Sequence, residues 1–311
     1  MRPGASALLR LVLSVGLWVT QTVALANTPA LLQDLRPLAV IPADNPQTLA
    51  KIALGRALFS EPLLSRTRTF SCASCHDPDN HFIDGRQTAM GATGEMHTRN
   101  TPTLYNVAYN ASFGWDDAGI TLLEDQHLIP LTNTSPVEMG FDAAHLPELQ
   151  NKYGAEFQTV FGAPNVSLSL VIKAIASYVR TLVPPESPYD RYVYWDEPLT
   201  PLARAGFALF TSDRLACGHC HASFNLSGPI VHERQAAEPV FHHTAVGGSH
   251  EHFRAPTLRA IRFTAPYMHN GSIPDLDSVI DHYEATDAER IPEFKLSREE
   301  RSALIAFLNS L

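Results

Sequence analysis

The chain has 311 residues, with 32 acidic against 23 basic side chains and a formal charge of −9. That length is sufficient for two domains with separate cores, and the acidity argues against nucleic acid as a partner. The sequence contains four cysteines in two closely spaced pairs, which leaves none for a lone nucleophile.

At the amino terminus, Arg2 and Arg10 accompany the apolar run Leu11 to Val19, and Ala24-Leu25-Ala26 offers a small-residue cleavage site. This is the pattern of a secretory signal peptide over residues 1–26, with an apolar run too short to span a bilayer. Cleavage would leave 285 residues with a charge near −11, the ordinary solubility charge of an exported protein. No later stretch approaches transmembrane length, so no membrane span is expected.

Residues 27–44 are dotted with proline and read as an extended lead-in. A helix is predicted next, with Asn45 as its cap, Pro46 at its first position and an apolar face of Leu49, Ile52, Ala53, Leu58 and Phe59. It leads to Cys72-Ala-Ser-Cys75-His76, two thiols and an imidazole at the spacing that attaches a c-type haem. The cysteines would bond the haem vinyls and His76 would ligate the iron. A second helix is predicted over 166–182, with Leu168, Val171, Ile172, Ile175, Val179 and Leu182 on one side. The proline-rich stretch from Leu182 to Pro188 ends it and marks a domain boundary, giving domains 27–185 and 186–311.

The second part begins with Thr200 as a cap and Pro201 behind it, and a helix leads to Cys217-Gly-His-Cys220-His221, a second haem-attachment pattern. A zinc site of four thiolates or a pair of disulfides is the alternative use of these cysteines, and the histidine directly after each pair favours haem. A final helix starts at Ser297, with Glu300 completing a capping box, and carries Leu304, Phe307, Leu308 and Leu311. Trp195 reads as an ordinary core residue. The histidines at 242, 243, 250 and 252 are dense enough to bind a metal, but read first as a mobile, solvated loop.

The two parts resemble one another. Gly55-Arg-Ala-Leu-Phe-Ser60 matches Gly206-Phe-Ala-Leu-Phe-Thr211 before the two motifs, and Thr101-Pro-Thr-Leu104 matches Ala255-Pro-Thr-Leu258 after them. The expected class is all-α: two cytochrome c-like haem domains related by internal duplication, with long loops. A haem with a strong second axial ligand mainly transfers electrons, whereas one without it is open to substrate. Tyr283 lies 27 residues past Pro256, and the same count from Pro102 reaches Ile129, beside Pro130. By this comparison the first haem is open and Tyr283 is a candidate ligand of the second. Adjacent His282 and Met268 remain alternative ligands.

Several ordered motifs carry a family resemblance over about residues 45–311. Leu54-Gly-Arg-Ala-Leu-Phe-Ser60, Arg99-Asn-Thr-Pro-Thr-Leu104, Gly114-Trp-Asp116, Pro136-Val-Glu-Met139, Phe253-Arg-Ala-Pro-Thr-Leu258 and Pro266-Tyr-Met-His-Asn-Gly271 resemble the bacterial di-haem cytochrome c peroxidases. The peroxidases place a methionine where this chain has Tyr283, and the MauG branch places a tyrosine. They also carry a histidine that closes the first haem, where this chain has about Ala92; His97 is displaced from that position. Phe224-Asn-Leu-Ser-Gly-Pro229, Val231-His232 and Phe241-His-His-Thr244 make the MbnH-type di-haem enzymes the closer resemblance.

What the resemblance implies is a periplasmic enzyme with two covalent c-type haems that uses hydrogen peroxide to oxidise an aromatic residue of a partner protein. By the same resemblance Glu138 is the acid-base residue beside the first haem, and Gln126 a hydrogen-bonding companion whose alternative is an exposed helical glutamine. Trp115 is implied to lie between the haems, and Asn100, Thr264 and Pro266 to hold a calcium ion through oxygen atoms. Two rival functions are a peroxidase fed with electrons by a small redox protein and a di-haem electron carrier without catalysis.

Overall fold

The computed structural model describes residues 37–246, 251–286 and 291–311. The leader over 1–26, most of the lead-in and His250 lie outside the described residues.

Helix α1, Leu49–Phe59, begins later than the Asn45-Pro46 pair suggests, because Thr48 is its cap and accepts from the Lys51 N–H. Asn45 is instead fully buried. Its Nδ2 donates to Glu124 Oε1 at 2.8 Å and to the Lys173 carbonyl at 3.0 Å, and its Oδ1 accepts from Lys51 Nζ at 3.2 Å. A side chain bonded to Glu124 and Lys173, far away in the chain, staples helices together rather than capping one. Helix α2 is the single turn Cys72–Cys75, α3 spans Leu123–Thr132 with Pro130 inside it, and α4 spans Leu146–Phe161. Helix α5, Leu168–Val179, is capped by Ser167 and buries Val171, Ile172, Ile175 and Val179.

After the proline-rich stretch, α6 (Pro188–Trp195) carries a capping box between Ser187 and Asp190. Helix α7, Pro201–Phe210, starts at its predicted cap Thr200, and α8 is the turn Cys217–Cys220. Helix α9 covers Leu276–Ala285. Helix α10, Arg298–Leu308, has the predicted Ser297 and Glu300 capping box.

Among the described residues there are two strands: β1, Phe241–His243, pairs antiparallel with β2, His252–Arg254, in the register His242↔Phe253. The molecule is helix-rich rather than strictly all-α, since this ribbon and long irregular segments join the helices. The ribbon also corrects the solvated-loop reading of the histidines: His242 is only 6% exposed, because strand alternation turns it inward. Trp195 departs from its reading in the opposite sense. It sits at the end of α6, is 57% exposed, and donates to Glu186 Oε2 at 3.2 Å.

Two hydrophobic clusters form. One gathers Leu54, Leu58, Phe59, Leu149, Phe157, Val171 and Ile175 around α1, α4 and α5. The other gathers Phe210, Leu215, Ile280, Leu304, Phe307 and Leu308 around α7, α9 and α10. The main helix crossing of each cluster is built on a glycine. A Cβ at Gly55 would lie 1.9 Å from the Ala174 carbonyl oxygen, and one at Gly206 would lie 1.9 Å from that of Ala303. Only a hydrogen fits at either place, which lets backbone pack on backbone. Across the second cluster, Arg259 and Asp190 form a buried ion pair at 2.8 Å. No helix among the described residues is long and apolar enough to cross a membrane.

Candidate haem-binding sites

Each Cys-x-x-Cys-His stretch folds into one helical turn, closed by the histidine N–H donating to the carbonyl of the first cysteine. That bond is 2.9 Å from His76 to Cys72 and 3.0 Å from His221 to Cys217. Spacing of three residues on a helical turn puts both thiols of a pair on one side. Each imidazole is then fixed by its Nδ1, against the Phe82 carbonyl at 3.1 Å and the Leu226 carbonyl at 3.2 Å. With Nδ1 as donor, Nε2 keeps its lone pair for a metal, the arrangement usual for a ligating histidine. Burial pushes the pKa of both imidazoles down, that of His221 to about 4, so they are neutral.

None of the four cysteines forms a disulfide. Burial pushes Cys72 and Cys75 up to about 12 and Cys217 to about 11. Among the described residues, no group of three or more His, Cys, Asp or Glu side chains is arranged to hold a metal ion.

Beside Cys217, Cys220 and His221 lies a cavity, partly open to solvent, with Phe210, Leu304 and Leu308 in its apolar lining. A flat, largely apolar macrocycle anchored at one edge fits such a space. The cavity is also lined by Tyr283 and Met268. Burial raises the Tyr283 phenol, and the nearby Cys220 and Cys217 sulfurs add to the shift. A cation bound in the cavity would favour its deprotonated form. His282 is held elsewhere, its Nε2 against the Thr244 carbonyl at 2.8 Å.

Around the first motif, Glu138 is half-buried and accepts from Asn133 Nδ2 at 3.2 Å. Its carboxylate is close enough to Cys75 to contribute to the raised thiol, after burial and the charges of Asp84 and Cys72. Ala92 donates its N–H to the Glu138 carbonyl at 2.7 Å, and His97 Nε2 lies 3.1 Å from the Val137 carbonyl. The segment 89–97 thus braces the Val137-Glu138 backbone. Gln126 on α3 is not an exposed helical glutamine: its Oε1 is buried and lacks a hydrogen-bond partner. It faces Gly114, whose φ of +77° permits the turn before Trp115. The Trp115 indole donates to the Asn100 carbonyl at 3.2 Å and lines the cavity beside the second motif.

Asn100, Thr264 and Pro266 line that same cavity. The Asn100 amide nitrogen is used by the Arg86 and Gln87 carbonyls, at 2.9 and 3.2 Å. Two further residues were not singled out by sequence. His127 follows Gln126 on α3, with Nδ1 bonded to the Leu123 carbonyl and its pKa pushed down to about 4 by burial. Arg254, inside the Phe253-to-Leu258 motif, lines the second cavity. Their signal was a charged or titratable side chain within a motif otherwise read as structural.

These features agree with the comparisons to known proteins. The family profile for di-haem cytochrome c peroxidase matches residues 49–197, and one for RoxA-like, cytochrome c-like proteins matches residues 252–287. The methylamine utilization protein MauG of Methylophilus methylotrophus is 36% identical, over 95% of this chain and 92% of its own length. A cytochrome-c peroxidase of Pseudomonas sp. (strain SCT) is 31% identical, over 100% and 92%. The crystal structure of a MauG-like protein associated with microbial copper homeostasis superposes with a TM-score of 0.82 at 31% identity, covering 89% of this chain and 93% of that one. The chain belongs to the di-haem cytochrome c peroxidase and MauG family of oxidoreductases.

Proposed function

We propose that this chain is a periplasmic di-haem oxidase that uses hydrogen peroxide at an open first haem to oxidise an aromatic residue of a partner protein. Residues 27–185 and 186–311 would be two copies of one cytochrome unit, a reading supported by the matching glycine crossings at Gly55 and Gly206. Cys72, Cys75 and His76 would hold the first haem. Cys217, Cys220, His221 and Tyr283 would hold the second. Bound haem would supply irons able to take up the two-electron oxidising power of peroxide.

The chain's own groups supply the rest. Glu138 can take a proton from one peroxide oxygen and return it to the other, which assists cleavage of the bond between them. The unpartnered Gln126 Oε1 can accept the peroxide O–H. Trp115 lines the cavity beside the second motif and follows Gly114, which faces Gln126 of α3, so its π-system could pass electrons between the two sites. Asn100, Thr264 and Pro266 converge on one cavity with carbonyl, amide and hydroxyl oxygens, the donors that calcium takes. The observation that carries the reading is Tyr283 facing the cavity of Cys217, Cys220 and His221. A phenolate is a hard anionic ligand that favours oxidised iron, suited to storing an oxidising equivalent.

The second reading is a peroxidase supplied with electrons by a small redox protein. It is favoured by the Met268 thioether in the same cavity and by the 31% identical peroxidase. Electron paramagnetic resonance of the ferric protein, followed by peroxide without reductant, separates the two. One high-spin and one low-spin signal, both lost on peroxide addition, are expected for the oxidase. Peroxide reactivity that appears only after prior reduction identifies the peroxidase, and two low-spin signals indifferent to peroxide identify an electron carrier.

A further inference from the structure

Arg254 ends β2, and its side chain faces the cavity beside Cys217, Cys220 and His221. Its Nε–H donates to the Gly114 carbonyl at 3.3 Å, and its backbone N–H donates to the Trp115 carbonyl at 2.8 Å. Arg254 is half-buried, and among the described residues no carboxylate pairs with it, whereas Arg180 and Arg259 pair with Glu124 and Asp190 at 2.6 and 2.8 Å. Burial lowers its pKa to about 10, which still leaves it charged at neutral pH. A guanidinium partly withdrawn from water gains most from an anion brought opposite it, and this cavity is where one would sit. Its remaining N–H groups form a fork matched to a carboxylate.

We propose that Arg254 is the counter-ion of a propionate of the second haem, and that it ties this carboxylate to the Gly114-Trp115 segment. The proposal rests on the reading that Cys217 and Cys220 carry a haem. A haem presents no anionic substituents other than its two propionates, so an anchored macrocycle would deliver the missing anion. Because the same residue holds two successive carbonyls before and at Trp115, it would also fix the tryptophan relative to the haem edge. Arg254 is thus a positioning residue for the inter-site path.

The test uses the holoprotein and its R254Q and R254K variants, with spectroelectrochemistry of each haem and resonance Raman of the propionate bending band. In R254Q the ferric-to-ferrous ratio of the second haem, read at a fixed potential, rises by roughly tenfold, the size expected when one buried charge near a redox centre loses its partner. R254K, which keeps the charge and loses the fork, recovers most of that ratio. In the unsubstituted protein the propionate band shifts in D2O, because its acceptors bond exchangeable N–H groups. That native measurement stands if R254Q fails to accumulate. An unchanged second-haem potential in R254Q, a change confined to the first haem, or a deuteration-insensitive band each overturns the proposal. Absence of haem mass on Cys217 and Cys220 would instead overturn the underlying reading.

Discussion

Replacing Gly206 by alanine tests whether the close crossing of α7 and α10 shapes the second haem cavity. The added Cβ would stand 1.9 Å from the Ala303 carbonyl oxygen and 2.8 Å from Phe307 Cβ. Carbon-to-oxygen contact is about 3.3 Å, so the methyl intrudes by about 1.4 Å onto main chain that no rotamer change can move. Overpacking of this kind costs up to about 3 kcal/mol or more, and the better helix propensity of alanine returns about 1 kcal/mol. A net loss of about 2 kcal/mol corresponds to a fall in Tm of about 4–8 °C. Phe307 and Leu304 belong to the cluster beside the cavity, so the haem absorbance should change with the transition. The control is Gly218→Ala. Its Cβ would meet nothing nearer than the Phe210 carbonyl at 3.8 Å, and Ala73 already occupies the matching place in the first motif. The assay is thermal unfolding followed by circular dichroism and by haem absorbance. A Gly206→Ala protein as stable as Gly218→Ala would refute the crossing argument.

Glu138→Gln should slow peroxide consumption by about 10²–10⁴-fold, with both haem spectra and Tm retained; an unaltered rate in stopped-flow removes Glu138 from the chemistry. Tyr283→Met should raise the reduction potential of the second haem, and an unchanged potential would transfer the ligand role to Met268. Asp190→Asn leaves the buried Arg259 guanidinium without its anion and should cost about 3–5 kcal/mol in denaturant unfolding. Glu300 is held at about 2 by hydrogen bonding to Arg214 and the Ser297 N–H. A carboxylate lowered on folding stabilises above its unfolded pKa of about 4.5, and that contribution is lost as pH falls toward 2. Glu300→Gln should flatten stability over that window, and salt should weaken the effect because the pair is exposed. A pH profile identical to the parent would dismiss this pair.

What the sequence determined by itself was local in origin. Cys72 to His76 and Cys217 to His221 form the same helical turn because three-residue spacing puts two thiols on one side and leaves the next residue to close it. Ser297 with Glu300 and Thr200 with Pro201 announced their helix starts for the same reason, since a cap bonds within its own first turn. Tertiary structure decided whatever depended on distant partners. Asn45 looked like a cap and became a buried staple, because its partners Glu124 and Lys173 lie 79 and 128 residues away. Trp195 went to the surface and His242 to the interior through the ends and faces on which packing put them. Gly55 and Gly206 appeared in the sequence only as matching letters. The close approach of α5 to α1 and of α10 to α7 explains them, because at 1.9 Å from a carbonyl oxygen there is room for a hydrogen and not for a carbon. Arg254 had no visible role in the sequence either, since the absence of a paired carboxylate is a property of its three-dimensional surroundings.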